Sequence, residues 1–522
     1  MANNREALAK NTLTLTILTT ISRATGFLRL AVLAAVLGGA ALADNFNLAN
    51  ETPNMIYELI MGGILSSVII PIFIEYLNQR SEEEAWEVAS IITNLAMLIL
   101  ITTSILGCVF SFYIIRAQAL TVPSSKIAIA VFLFRIFSFQ IVFYGLAAIC
   151  TAILNSYRRF AVPAFAPIIN NIVVIITALI FSQVYKYNPA AALYILAIGT
   201  TLGVISLFVM QIPSIIKVWV GYKLSFNFRH PAIKRLLILS VPLFIYVGTN
   251  VFQMFFESNL VIPVRGGKTA FTWAWPFFQL PFGIFAVSII TALFPDISEH
   301  ASTNNNKELQ RDVSLGIRIT ALIMVPSAIL LTFLSYPICE LVLKWYRFSE
   351  ASTVLTAGAL SYFAVGLFSF AIFMYLLKVF YALQDTVTPT IVNLISTAIT
   401  LAFDLIIVRY LEVSGIALGR SIGFSISAIV LFLLLKKRIG AIQTRAILVS
   451  LTKFLVAGSF MGLVAYFSLQ SVLVYFPPST IINKIIDLFL PAILSVSIYI
   501  LAIYILKTKE IKVVTRAVRT RF

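Results

Sequence analysis

Two arginines, Arg23 and Arg29, stand in the apolar run ISRATGFLRLAVL, residues 21–33. An ionisable side chain at bilayer depth costs about 2.5–3.5 kcal/mol on insertion scales, so it is expected to face a cavity or a partner. Counted at about 1.5 Å per residue from Leu13, Arg23 falls about 15 Å and Arg29 about 24 Å along a helix. Six residues turn a helix through about 600°, which leaves the two about 120° apart. Gly26 between them permits a bend or closer packing, so that both address one cavity. The competing reading is structural pairing of each arginine with a carboxylate such as Asp44 or Glu58. A second constellation is Glu257, Asp404 and Arg420 in three later apolar runs. If those helices meet, two carboxylates face one fixed cation. Such a set either binds a sodium ion or a proton, or holds a static charge network.

Arg135 and Lys453 complete the bases inside apolar runs, Lys453 near enough to a helix start to reach the membrane surface with its long stem. The acidic run SEEEAWE, residues 81–87, reads as a solvated helix start favoured by the helix dipole. Cys108, Cys150 and Cys339 sit singly among apolar residues, and His230 and His300 fall in polar connections without ligand spacing, so no metal site is expected. The chain holds no GxxxxGK[ST] loop, no HExxH and no nucleophile elbow. These absences point to a protein that is not an enzyme and uses no cofactor.

The elements that position these charges follow from composition. Of 522 residues 60% are hydrophobic and 11% charged, and the mean hydropathy is +0.98, which soluble globular chains do not reach. Apolar runs of about 20 residues, the length that crosses a hydrocarbon core about 30 Å thick, recur from end to end. They predict an all-α polytopic membrane protein with fourteen spans, near residues 13–37, 54–76, 88–113, 127–153, 164–184, 190–211, 237–262, 271–294, 315–335, 353–380, 387–408, 414–435, 447–470 and 483–506. The net charge of +17 reads as topology, not as nucleic-acid binding. Basic loops, including Arg158 and Arg159, the connection Lys217 to Arg235, the cluster Lys436 to Arg438 and the tail Lys507 to Arg521, place both termini in the cytoplasm.

The chain also repeats itself. PIFIEY from Pro71 and PDISEH from Pro295 end spans two and eight, an offset of 224 residues. Pro163, after span four, and Pro389, after span ten, are 226 apart. This predicts two six-helix lobes related by an internal repeat, residues 1–222 and 223–440, followed by two C-terminal helices and a basic tail in 441–522.

SRATGFLRL, Asp44, TPNMIYELIMGGILSSVIIPIFIEY, LNSYRRFAVPAFAPIINN and FYALQDTVTPT, in this order and spacing, resemble the MurJ (MviN) lipid II flippases of bacteria. These belong to the superfamily of multidrug, oligosaccharidyl-lipid and polysaccharide exporters. The resemblance runs through all fourteen spans. It implies a multi-pass protein of the bacterial plasma membrane that turns a polyprenyl-pyrophosphate-linked peptidoglycan precursor between leaflets by alternating access. The two C-terminal helices then line a groove for the lipid tail. Arginine suits a pyrophosphate because its planar fork of donors matches phosphate oxygens. The substrate site so implied takes Arg23, Arg29, Asp44, Asn54, Glu58 and Gln279, with Glu257, Asp404 and Arg420 as an ion-coupling site or charge network. The partners implied are the lipid-linked glycan, membrane lipids and cell-wall synthesis proteins, with the chain itself a monomer.

Several positions depart from the family pattern. Tyr57, followed by Glu58, stands where an arginine is common; Trp275 and Pro276 stand where Asp-Arg is common; and Leu30 replaces an aspartate. Arg420 occupies a place where a small side chain is common, so its guanidinium stands in for a bound cation. The loss of positive charge keeps open an exporter of another lipid-linked glycan, a cation-coupled antiporter for small amphiphiles, and a scaffold that no longer transports.

Overall fold

The computed structural model of the chain describes residues 2–62, 70–225, 231–303, 305–508 and 510. His230, part of the second span and the basic tail beyond Glu510 lie outside the described residues. Every element among them is helical. The first half comprises α1 (Ala2–Leu37), α2 (Ala41–Tyr57), α3 (Ile70–Gln79), α4 (Glu82–Val109), α5 (Ser111–Ala117), α6 (Ala128–Phe137), α7 (Gln140–Ser156), α8 (Ala161–Val184), α9 (Pro189–Val209), α10 (Ile212–Ile216) and α11 (Pro231–Val261). The second comprises α12 (Gly267–Pro281), α13 (Val287–Ser302), α14 (Asn306–Phe333), α15 (Ser335–Leu343), α16 (Glu350–Val365), α17 (Leu367–Ala382), α18 (Val387–Ile439), α19 (Thr444–Tyr475) and α20 (Ile481–Ile505).

Among the described residues, nine helices are long and apolar enough to cross a membrane, and up to eleven if each of two bent pairs is one span. Of the fourteen expected spans, the eleventh and twelfth fall together on α18, which has a non-helical break at Glu412 (φ 47°, ψ −128°); the second crosses residues 63–69, outside the described residues, and the seventh falls on α11, some of whose side chains lie outside them.

Helix starts follow local chemistry. The Ser81 hydroxyl accepts the Glu84 amide at 3.1 Å, and Glu82, Glu83 and Glu84 fill the first turn of α4 where the dipole favours anions. Asn188 caps α9 ahead of Pro189, and Asn305, Ser349 and Thr480 cap α14, α16 and α20 in the same manner. α1 ends at Gly38, whose φ of 75° suits a residue without a Cβ.

The repeat is written into the backbone as well as the prolines. α7 ends at Ser156 and α17 at Ala382, α8 begins at Ala161 and α18 at Val387, each 226 residues apart. Both turns put a non-glycine residue at φ 58°, Arg158 and Gln384, and both close with the same pair of bonds: Arg159 N–H to Leu154 C=O, Asp385 N–H to Phe380 C=O, Arg158 to Asn155 and Gln384 to Tyr381. The helices before the turns are bent pairs, 44° between α6 and α7 and 50° between α16 and α17. π-type turns at Glu58–Gly62 and Phe282–Ala286 interrupt the helices 224 residues apart. In the second turn Asp385 is partly buried, which works against its charge, but the Thr388 amide and hydroxyl and the Arg438 guanidinium hold its carboxyl below the usual carboxylate range.

The chain divides into two compact units, Met1–Arg265 with Trp345–Phe348, and Gly266–Lys344 with Ser349–Phe522. α11 therefore belongs to the first. Its Asn259 side chain donates to Ala117 C=O at 2.7 Å and accepts the Leu120 amide at 2.5 Å. Residues 345–348 join the same unit because the Arg347 amide donates to Ala35 C=O at 3.1 Å and its guanidinium lies 5.0 Å over the Tyr185 ring. One apolar core of this unit surrounds Phe73, Trp86 and Leu154. In the second unit α19 and α20 pack on α14 through Val325, Phe454, Met461 and Tyr499.

Two charged or titratable side chains find partners far along the chain or on the next helix. Lys453 is half-buried, and its ammonium donates to Leu506 C=O at 2.7 Å, because the last carbonyls of α20 lack helical partners. His300 is not a solvated loop residue but lies in the last turn of α13, 2.8 Å from Asp312.

Candidate functional site

α1 packs on α8 along one stripe. Asn171 of α8 donates to Ser22 C=O at 3.2 Å and to the Thr25 hydroxyl at 3.0 Å, and a Cβ on Gly26 would lie 3.7 Å from its amide nitrogen. Ser22, Thr25, Gly26 and Arg29 recur at the spacing of one helix face, so Arg29 is drawn against the protein and half-buried. Arg23, one residue after Ser22 and so about 100° away, is exposed. Among the described residues neither guanidinium makes a hydrogen bond or ion pair within the chain, and the structural pairing with Asp44 or Glu58 is not formed.

What surrounds Arg29 is a small polar group in an apolar setting. Its charge and that of Glu58 both act on the Tyr144 hydroxyl of α7. The Tyr144 ring lies 5.8 Å from that of Tyr57, and Asn54 donates to Glu58 at 2.9 Å. Glu58 is the first residue of the π-type turn, a distortion that re-aims a side chain off its helical track. Arg29, Asn54 and Glu58 are thus gathered, and Tyr144 joins them unforeseen. Its signal was present as a hydroxyl inside the apolar run QIVFYGLAA. Asp44 is not part of the group: it is buried in the first turn of α2, fourteen residues or about 21 Å from Glu58 along that helix. Glu257 is fully buried elsewhere in this unit and accepts from Gln253 at 2.7 Å.

The second unit holds Asp404, Arg420 and Gln279. The two halves of α18 form a hairpin about Glu412 in which Gly415, Gly419 and Gly423 face Ile407, Asp404 and Thr400. A Cβ on Gly419 would lie 1.8 Å from an Asp404 carboxylate oxygen, so only glycine admits that fully buried carboxyl at this approach. Arg420, the next residue, turns onto α12 and lies 5.1 Å over both Phe271 and Trp275, a double cation–π stack. Gln279, one turn beyond Trp275, is half-buried. Trp275 also joins the rings of Phe278, Phe363 and Phe370.

The family model described as lipid II flippase MurJ matches residues 33–486. The chain belongs to the MurJ lipid II flippase family. Among its relatives, the probable lipid II flippase MurJ of Rickettsia prowazekii is 30% identical over 410 residues, which cover 78% of this chain and 80% of the relative. The lipid II flippase MurJ of Burkholderia cenocepacia is 28% identical over 435 residues, 82% and 83% of the two chains. A solved lipid II flippase MurJ in an inward closed conformation shares the fold with a TM-score of 0.77, at 24% identity over 95% of this chain and 98% of that one. An inward-facing MATE transporter matches with a TM-score of 0.66, at 17% identity over 82% and 95%.

Proposed function

We propose that the chain translocates lipid II, a polyprenyl-pyrophosphate-linked peptidoglycan precursor, across the bacterial inner membrane by alternating access. Family membership supports the reaction. The observation that supports a head-group site is Arg29, a half-buried guanidinium without a hydrogen-bonding partner among the described residues. A pyrophosphate supplies the acceptors that its donor fork lacks. Tyr144 and Asn54 offer further donors, and Arg23, on the exposed face of α1, adds positive charge. Asp44 and Gln279 act further from the pyrophosphate. The chain is a transporter and catalyses no bond change.

Glu58, whose charge acts with that of Arg29 on Tyr144, favours a second reading, export of another lipid-linked glycan whose head group carries less negative charge. Complementation separates the two. Expression in a strain depleted of its lipid II flippase is expected to restore growth; well-expressed protein that fails to do so removes lipid II as the substrate and leaves the second reading.

The repeat supports lobes of spans one to six and seven to twelve, residues 1–222 and 223–440, with 441–522 as the tail-binding addition. The distribution of basic loops supports cytoplasmic termini. The chain works as a monomer beside cell-wall synthesis proteins. Arg420, fixed between Phe271 and Trp275, takes the place of a bound cation. Transport in liposomes is therefore expected to proceed at the same rate when sodium is replaced by choline; strict sodium dependence that survives Arg420→Ala overturns this.

A further inference from the structure

The helices α15, α16 and α20 bring ionisable groups together at one end of the second unit. Lys344 of α15 donates to Glu340 at 2.8 Å and also pairs with Glu350 of α16. The Tyr336 hydroxyl donates to Glu350 at 2.5 Å. Against this network stands Asp487 of α20, 1% exposed, and neither of its carboxylate oxygens has a hydrogen-bond donor among the described residues. Glu340, itself 3% exposed, is near enough for its charge to act on Asp487.

A bare carboxylate in such a place is costly twice over, through lost hydration and through a like charge beside it. Lys344 is already engaged by two carboxylates. Lys484 lies one turn before Asp487 on α20 and acts on Glu350. α19 brings only Tyr466 and Tyr475 to this end, both exposed, and α14 ends there in Phe333, its Arg318 being paired with Glu510 at 2.6 Å near the opposite end. No group of three metal-ligating side chains occurs among the described residues. The ligand that fits one buried oxygen pair with no donor is a proton.

We propose that Asp487 is a proton-binding site, a neutral carboxylic acid while α20 is docked on α15, whose deprotonation loosens that docking. The site lies about 9 Å along α20 from Ile481, so the proton has a short path to one membrane face. Nothing in this depends on which lipid the chain carries.

The sign of the pH effect follows. A carboxyl that keeps its proton in the folded chain adds stability at low pH, and loses it as pH rises through its folded titration midpoint. The test uses the full chain in liposomes treated with dicyclohexylcarbodiimide, which attacks protonated carboxyls in apolar surroundings, between about pH 5 and 9, the range of buried carboxyls. Peptide mass spectrometry is expected to find Asp487 modified at the low end, the label falling about tenfold per pH unit beyond the midpoint. Glu340→Gln, which removes the like charge, moves that loss to lower pH. Asp487→Asn carries no label there and removes the fall in melting temperature with rising pH. An unlabelled Asp487 at the low end, or an unchanged pH profile of melting in Asp487→Asn, overturns the proposal.

Discussion

Replacing Arg29 by alanine abolishes rescue of a flippase-depleted strain while the protein continues to accumulate in the membrane. Among the described residues the side chain makes no hydrogen bond, so its removal costs the fold little beyond the packing of its stem. What it loses is the pyrophosphate. Hydrogen bonds to charged groups contribute about 1.5–3 kcal/mol each, and every 1.4 kcal/mol is about a factor of ten in affinity, so removing a bidentate pair weakens binding by at least about a hundredfold. Arg29→Lys keeps the charge without the planar fork and should rescue in part. Arg23→Ala, on the exposed face about 120° away, should lower transport less. Growth of the depleted strain, with immunoblots for abundance, reads all three. Full rescue by Arg29→Ala would remove the pyrophosphate from this site.

Gly366→Val is expected to prevent the second unit from folding. Gly366 sits at the 50° bend between α16 and α17, and a Cβ there would lie 2.6 Å from both the Cα and the hydroxyl of Ser421. The obstacle is backbone. Ser421 cannot swing aside, because its hydroxyl donates to Tyr362 C=O at 2.8 Å and so ties α18 to α16. Overpacking costs about 1–3 kcal/mol where side chains can yield; with a main chain in the way the cost lies at or above the top of that range. Gly458→Ala is the control, since its Cβ meets side chains alone, the tip of Ile329 at 2.4 Å and a methyl of Val325 at 3.4 Å. Thermal melting of the purified variants in detergent checks both, and an unaltered Gly366→Val profile would show the packing at this bend to be compliant.

Much of the fold is legible because a bilayer imposes constraints that act along the chain. Span length and backbone self-satisfaction turn hydropathy directly into helices. The offsets between Pro71 and Pro295 and between Pro163 and Pro389 carry the repeat, since proline acts locally on the turn that holds it. The same locality sets the limit of what the residues show. Lys453 and His300 take settings that their own segments do not announce, because their partners, Leu506 and Asp312, lie at other positions in the chain. GIALGRSIG, residues 415–423, carries a four-residue glycine spacing that marks close helix contact, but nothing in it names Asp404 as the group that the glycines admit.

By itself the sequence determined that the chain spans a membrane many times, that it is built on a repeat, and that Arg23 and Arg29 are charges which an apolar helix must justify. Only the tertiary structure decided which of these charges is drawn inward, that Tyr144 and Glu58 accompany Arg29, that Arg420 is stacked on Phe271 and Trp275, and that Asp487 is sealed without a donor. The physical reason is that hydropathy and turn chemistry are properties of one segment. A side chain's electrostatic surroundings are set by whichever other helices packing brings to it.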